Sequence, residues 1–234
     1  MTPAVVYGRN PVREALAAGR RRVHRVWATR VAAREPWLEG VPVEVVDARE
    51  VARRAGSEGH QGVCAQADPY PYAGAGALLR RESPLLVALD EVQDPQNLGA
   101  ICRTAECAGA AGVVIPERRA AEVTPAVCKA SAGAVEHLRV ARVRNLTEFL
   151  ADAKAAGLWC YGAAAEAAVP YTEPDWRGGV VLVLGGEGRG LRPRVAGACD
   201  QLVALPLRGR IASLNVSAAA AALLYGILQM REAT

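Results

Sequence analysis

The sequence lacks the patterns that mark metal-binding, secreted and membrane proteins. Its six cysteines form no C-x-x-C pair and have no histidine at metal-ligand spacing, so neither a zinc site nor a disulfide framework is expected. The first residues show no charged segment followed by an apolar one, so no secretory signal is expected. The longest weakly polar stretch, residues 216–230, is too short and too rich in alanine to span a bilayer. These absences favour a globular protein of a reducing cytoplasm, with cysteines as small buried side chains.

Lysine is scarce too, since Lys129 and Lys154 are the two lysines among 28 basic residues. The formal net charge of +4 is too small for a polybasic coat, although it permits an anionic partner. Arginine suits bidentate contacts with phosphate. The arginine runs at residues 20–22, 53–54 and 80–81 are therefore either solvated surface or phosphate contacts.

Two domains are expected. Proline, glycine and small residues concentrate at residues 71–83 and predict a linker between residues 1–70 and residues 84–234. The first part alternates short helical and strand-like patterns, which predict a small α/β module. In the second part, apolar runs alternate with helical segments, which is typical of a parallel sheet covered on both faces. These runs are Leu85–Leu89, Gly112–Ile115, Leu158–Tyr161, Val180–Leu184 and Leu202–Leu205.

The final helical segment, residues 213–230, is apolar or alanine on nearly every face. A helix of this composition is expected to be buried on all sides. Because runs of alanine let backbones approach closely, part of the burial is expected against a second subunit.

Three polar or glycine-rich segments begin where predicted strands end, at residues 90–105, 185–191 and 205–217. Ligands of open α/β sheets bind beyond the carboxyl ends of the strands, so these segments predict one shared site. Each segment also has a purely structural explanation: Asn97, Ser213 and Asn215 could be helix caps, and the glycines could serve the turn. The spacing G-G-E-G-R-G matches neither the dinucleotide fingerprint nor a P-loop.

The segments DPQNLGAICRTAECAG, LVLGGEGRGL and LPLRGRIASLNVSAAAAALLYGIL closely resemble, in order and spacing, the three motifs of the SpoU/TrmH (SPOUT) family of RNA ribose 2'-O-methyltransferases. YGRNPV and HQGV resemble parts of the L30e-like RNA-binding domain of bacterial enzymes that methylate a guanosine in large-subunit (23S) rRNA. The resemblance implies a cytoplasmic homodimer and an α/β catalytic domain that ends in a trefoil knot, a rare exception among folds.

The same resemblance implies S-adenosylmethionine as the cofactor, held in the knot mainly by backbone groups. Its expected contacts are Gly185, Leu205 and Leu214. A methyl group on a sulfonium is already electrophilic, so no metal is expected.

Five polar residues are expected at the catalytic site by this resemblance: Arg103, Asn97, Glu187, Ser213 and Asn215. Because a guanidinium essentially never loses its proton, we expect Arg103 to grip the phosphate beside the target ribose and to stabilise oxyanion charge. Asn97 is expected to orient Arg103 and the substrate. Glu187 and Asn215 are expected to order the two loops, and Ser213 to touch substrate phosphate or cofactor.

Two other functions stay open at this stage. One is an RNA-binding protein that has lost catalysis, against which the complete motif set argues. The other keeps the chemistry but changes the substrate to a transfer RNA or to the ribosomal site of antibiotic-resistance enzymes. The first domain weakens the transfer-RNA option, because those enzymes usually lack it, whereas the resistance enzymes carry a similar domain.

Overall fold

The computed structural model describes residues 3–211 and 213–233. The first part of the chain forms a small mixed sheet in the order β1-β4-β2-β3, flanked by two helices. The strands are β1 (Ala4–Tyr7), β2 (Val23–Ala28), β3 (Val43–Val45) and β4 (Val63–Ala67), and the helices are α1 (Arg9–Ala18) and α2 (Ala48–Ala55).

The second part forms a larger sheet in the order β7-β6-β5-β10-β8-β11-β9, in which every pairing is parallel. Its strands are β5 (Leu85–Asp90), β6 (Gly112–Pro116), β7 (Val140–Val143), β8 (Trp159–Ala163), β9 (Val169–Pro170), β10 (Val180–Gly185) and β11 (Gln201–Ala204). Strands β5 and β6 are buried along their whole length, as expected of strands covered on both faces. The predicted parallel α/β class is confirmed.

Six helices surround this sheet in the described part of the chain: α3 (Ala75–Leu79), α4 (Pro95–Cys107), α5 (Pro125–Ala130), α6 (Leu146–Ala155), α7 (Pro193–Ala196) and α8 (Val216–Glu232). Helix α8 packs against α4, so the end of the chain returns to the middle of the fold. This return agrees with the knot that the resemblance implies, and the knot itself stays a prediction.

Within the single chain, helix α8 buries one face and leaves a stripe exposed along the other, at Ala218, Ala222, Tyr225 and Gln229. The burial expected within the fold is met on one face, and the burial expected against a second subunit stays a prediction. The helix also begins later than predicted, at Val216, with Asn215 as its cap.

The two domains meet at a seam, which we define as residues 131–138 packed against the amino-terminal layer. Arg21 forms a buried ion pair with Glu136, and the two side chains are 3% and 1% exposed. Arg20 donates to the carbonyl oxygens of Glu136 (3.3 Å) and Leu138 (2.7 Å). These two arginines are therefore structural, which corrects for Arg20 and Arg21 the expectation of solvated surface or phosphate contact, while Arg22 of the same run is exposed.

The predicted linker and the residue before it are packed onto this seam. The hydroxyl of Tyr70, the last residue before the linker, lies 2.9 Å from the carbonyl oxygen of Val135 and 3.0 Å from that of Leu138. The amide of Ala73 donates to Val140 at the start of β7. One hydrophobic core runs through both domains, so residues 71–83 bind the domains together instead of separating them. The domain boundaries at 70 and 84 stay predictions.

The predicted burial of the cysteines holds for four of the six, Cys64, Cys102, Cys128 and Cys160. Cys199 is half-buried and Cys107 is exposed at the end of α4, so the prediction fails for that residue. No helix in the described part of the chain combines the length and the hydropathy that a bilayer crossing requires.

Candidate active site

Two adjoining cavities open at the carboxyl ends of the central strands. The first, which we name the inner cavity, has a volume of about 670 Å³. Its walls include Gly185 at the end of β10, Leu205 just after β11, and Ser213 and Leu214 just before α8. The structure thus brings the three predicted cofactor contacts together in one wall. Their contact with the cofactor stays a prediction.

The glycine-rich loop after β10 folds back on itself. A Cβ on Gly185 would lie 2.0 Å from the carbonyl carbon of Gly190, so only glycine fits there. The amide of Gly186 donates to the carbonyl oxygen of Asp90 at 2.8 Å, which ties this loop to the end of β5. The backbone of this loop therefore forms a fixed wall of the inner cavity.

Three predicted site residues from three segments form one hydrogen-bonded cluster. The Asn97 amide nitrogen donates to the Glu187 carboxylate at 2.7 Å. The Asn215 amide nitrogen donates to the same carboxylate oxygen at 2.6 Å and to Asn97 Oδ1 at 3.1 Å. Asn215 Oδ1 meanwhile accepts the first amides of α8, so its cap and site roles coexist. Asn97, by contrast, is not a cap, because Asp94 caps α4.

The second cavity, which we name the outer cavity, has a volume of about 570 Å³. Glu187 lines both cavities, Asn215 lines the inner one and Asn97 the outer one. The amide–carboxylate cluster of Asn97, Glu187 and Asn215 therefore stands at the boundary between the two spaces.

Arg103 lies apart from this cluster in the single chain. It is exposed on α4 and belongs to the wall of neither cavity. It lies six positions after Asn97 on the helix, which corresponds to about 9 Å along the axis. Among the described residues, Asn97 bonds to Glu187 and Asn215, so the expectation that it orients Arg103 is not met within one chain.

Apart from Glu187, sequence reasoning singled out none of the charged residues that line the outer cavity. The buried carboxylate of Asp90 accepts from Arg192 through the backbone amide (2.8 Å) and Nε (2.8 Å), and pairs with Nη2 (2.6 Å). This carboxylate raises the pKa of the Arg192 guanidinium. Glu91 and Arg119, which also line the cavity, hold left-handed backbone conformations with φ of 59° and 57°. Such conformations leave no signal in the sequence.

The inner cavity suits S-adenosylmethionine. Its volume lies within the roughly 300–1,000 Å³ range of small-molecule pockets. Apolar side chains such as Leu184, Leu205 and Leu223 offer contacts to an adenosine, and the Glu187 carboxylate complements a cation. Among residues 3–211 and 213–233, no three acidic, histidine or cysteine side chains are grouped as a metal site would require.

Comparison with known proteins identifies the family. Residues 84–225 match the model of the SpoU rRNA methylase family, and residues 5–73 match that of the RNA 2'-O ribose methyltransferase substrate-binding domain. The chain belongs to the SpoU rRNA methylase family. This membership confirms the prediction of an S-adenosylmethionine-dependent RNA 2'-O-methyltransferase.

Individual relatives agree along nearly the whole chain. An uncharacterized tRNA/rRNA methyltransferase of Synechocystis is 39% identical over 97% of this chain, which spans 62% of that relative. The 23S rRNA (guanosine-2'-O-)-methyltransferase RlmB of Pseudomonas putida is 37% identical, with 97% of this chain and 96% of the relative covered. The AdoMet-bound rRNA methyltransferase of Sinorhizobium meliloti has a TM-score of 0.82 at 27% identity, covering 97% of this chain and 87% of that one.

Proposed function

We propose that this protein transfers a methyl group from S-adenosylmethionine to the ribose 2'-hydroxyl of a guanosine in large-subunit rRNA, in the cytoplasm. The observation that carries the proposal is the cluster of Asn97, Glu187 and Asn215 between an inner and an outer cavity. Similarity to the Pseudomonas enzyme along both chains supports rRNA guanosine as the substrate.

The chain's own residues have limited chemistry to perform. The cofactor supplies an electrophilic methyl group, so the protein must align the hydroxyl with it and help it lose a proton. Gly185, Leu205 and Leu214 would hold the cofactor in the inner cavity, with Ser213 at its rim. Glu187, held by two amides, complements positive charge at the boundary. The acceptor ribose would then enter from the outer cavity beside Asn97.

Arg103 is proposed to act in the site of a second subunit. Its helix α4 packs against α8, whose exposed stripe of two alanines, a tyrosine and a glutamine is proposed to form the homodimer interface. An interface on that stripe brings α4 close to the partner subunit. Arg103, which lines neither cavity of its own chain, would then reach a cavity of the partner subunit. There the guanidinium would grip phosphate and stabilise the developing oxyanion.

Mapping ribose methylation tests the reaction and its substrate. Total RNA is compared before and after incubation with purified protein and S-adenosylmethionine, and one new 2'-O-methylguanosine in large-subunit rRNA is expected. Methylation confined to transfer RNA would replace the proposed substrate. No transfer, together with no heat on titration with S-adenosylmethionine, would favour an RNA-binding protein without catalysis.

Replacement of Arg103 tests its role and the dimer. Arg103→Ala is expected to abolish transfer while cofactor affinity and thermal stability stay nearly unchanged. Arg103→Lys keeps the charge but loses the bidentate fork, so it should restore little activity. Activity of Arg103→Ala within tenfold of the wild type would refute the role. A monomer by small-angle scattering at micromolar concentration would refute the shared site.

A further inference from the structure

We infer that Arg119 is a substrate-binding residue whose guanidinium binds the RNA backbone phosphate next to the acceptor ribose in the outer cavity. The inference rests on the proposed function and assigns the outer cavity to the acceptor nucleotide. It also assigns each site two arginines from different chains, Arg119 from the chain that holds the cofactor and Arg103 from its partner.

The topology brings Arg119 to the correct edge of the sheet. Arg119 lies on the loop after β6, and β6 pairs in parallel with β5, which precedes the segment that carries Asn97. A backbone hydrogen bond of 2.9 Å from Ala121 to Val92 ties this loop to the one after β5. Arg119 therefore lines the same cavity as Asn97 and Glu187, the cavity from which the acceptor ribose is proposed to enter.

Arg119 is also free to take an anionic ligand, unlike its neighbour Arg192. Arg192 is held by the buried Asp90 carboxylate through three nitrogen atoms. Arg119 is 75% exposed, and within residues 3–211 and 213–233 its charged contact is a long one, 3.4 Å from Nη1 to Glu91 Oε1. Glu91 also lies 3.3 Å from Arg192, so this carboxylate stays paired when Arg119 turns towards a ligand.

The backbone at this place carries a conformational cost. Both Arg119 and Glu91 adopt positive φ angles, which non-glycine residues rarely hold and which strain the backbone. Strain of this kind concentrates at ligand sites, where the surrounding structure holds it. Here it presents an exposed guanidinium at the mouth of a cavity.

A phosphate is the ligand that fits this group. Guanidinium forms bidentate hydrogen bonds with phosphate. Each ribose in an RNA chain has a phosphate on both sides, so an acceptor ribose near Asn97 brings a phosphate into the outer cavity. The competing ligand is the carboxylate of the cofactor, and the experiment separates the two.

Salt dependence of RNA binding tests the phosphate contact. The probe is a synthetic RNA fragment that spans the nucleotide found by mapping. Arg119→Ala should raise KM for this RNA roughly tenfold to a hundredfold, as expected for a hydrogen bond to a charged group. The slope of log affinity against log salt should become shallower by about 0.7–0.9, the value for one phosphate contact. Arg119→Lys should recover the slope, because it keeps the charge.

Two controls make the result specific. Arg118→Ala removes the adjacent exposed arginine, which does not line the cavity, and should leave KM raised by less than threefold. Titration with S-adenosylmethionine should give wild-type affinity for Arg119→Ala. An unchanged salt slope and KM would overturn the inference, and so would a loss of cofactor affinity, because it would assign Arg119 to the cofactor. Were Arg119→Ala to unfold, Arg119→Gln supplies the same comparison.

Mixed dimers with two affinity tags separate this inference from the proposed function. A dimer of one Arg103→Ala chain and one Arg119→Ala chain contains one complete site and should show about half of wild-type activity below KM. A dimer of one wild-type chain and one chain with both substitutions contains no complete site and should be nearly inactive. The reversed pattern would place both arginines in one chain and refute the shared site. Full activity of the Arg119→Ala homodimer would refute only the role of Arg119.

Discussion

The seam and the site edge, by which we mean the sheet edge that carries the two cavities, use similar polar side chains differently. The seam uses them for stability, and the site edge presents them to a ligand. At the seam, Arg21 and Glu136 are buried and satisfy each other, and a single core surrounds them. At the site edge, the cluster of Asn97, Glu187 and Asn215 borders two cavities, and Ser213 and Leu214 are exposed. A polar group that meets its partner inside the protein contributes to stability, whereas one that faces a cavity is available to a ligand.

Arg21→Ala should have the largest effect on stability. It leaves the Glu136 carboxylate buried without its partner, which typically costs about 3–5 kcal/mol. Urea unfolding of the wild type and the variant measures the difference. Arg22→Ala removes the exposed neighbour and should cost under about 0.5 kcal/mol. A similarly small loss of unfolding free energy in both variants would show that the seam ion pair matters no more to stability than an exposed arginine.

Glu187→Ala should show the reverse behaviour, with a large effect on activity and a small one on stability. Two amides lose their shared carboxylate acceptor, so methyl transfer should fall roughly tenfold to a hundredfold or more. Glu173→Ala, an exposed carboxylate outside both cavity walls, should keep wild-type activity. Single-turnover rates and thermal melts report the two quantities. A melting temperature lowered as far as in Arg21→Ala would show the cluster to be mainly structural.

Tyr70→Phe tests the seam with a smaller change. Burial raises the pKa of the Tyr70 phenol, so it remains a protonated donor to the seam carbonyls. Loss of this hydroxyl should cost about 1 kcal/mol of unfolding free energy. Urea unfolding of the wild type and the variant measures the difference. A variant that unfolds like the wild type would mean that the seam hydroxyl contributes nothing specific.

Lowering the pH should have the smallest of these four effects on stability, through the Glu14 carboxylate at the edge of the seam. Burial raises the pKa of the Glu14 carboxyl, but hydrogen bonds from His137 and Arg13 outweigh it, and the pKa lies below its ordinary 4.5. The contribution of Glu14 is therefore complete above pH 4.5 and is lost as the pH falls through the lowered value. Glu14→Gln should cost a few tenths of a kcal/mol at pH 7. Thermal melts from pH 7 to pH 3 should show this difference shrinking, and a difference that grows would contradict the assignment.

The sequence predicted the central strands of the larger sheet better than its edge strands and the start of helix α1. Strands β5 and β10 are continuous apolar runs and stand out. Strand β7 was missed, because Arg142 interrupts its short run, and β9 has two residues. Helix α1 begins at Arg9 after Gly8, and a glycine cap has no side chain that could mark the start of the helix.

The same contrast holds at the site. The motifs predicted the meeting of Asn97, Glu187 and Asn215, because each follows a recognisable strand end. Arg119 was missed, because its role depends on a cavity between loops that are far apart in the chain. The run that begins at Arg20 resembles a phosphate contact in sequence alone. Only the fold shows that Arg20 and Arg21 point into the protein.

The packed seam has a consequence for how a nucleotide is chosen. Because a common core and a buried ion pair join the two domains, moving them apart would expose that core and leave the paired charges without partners. If the amino-terminal domain binds the RNA that the site edge methylates, as proposed, the protein fixes the distance between these two contacts. An RNA substrate must then fold so that its target nucleotide lies at that distance.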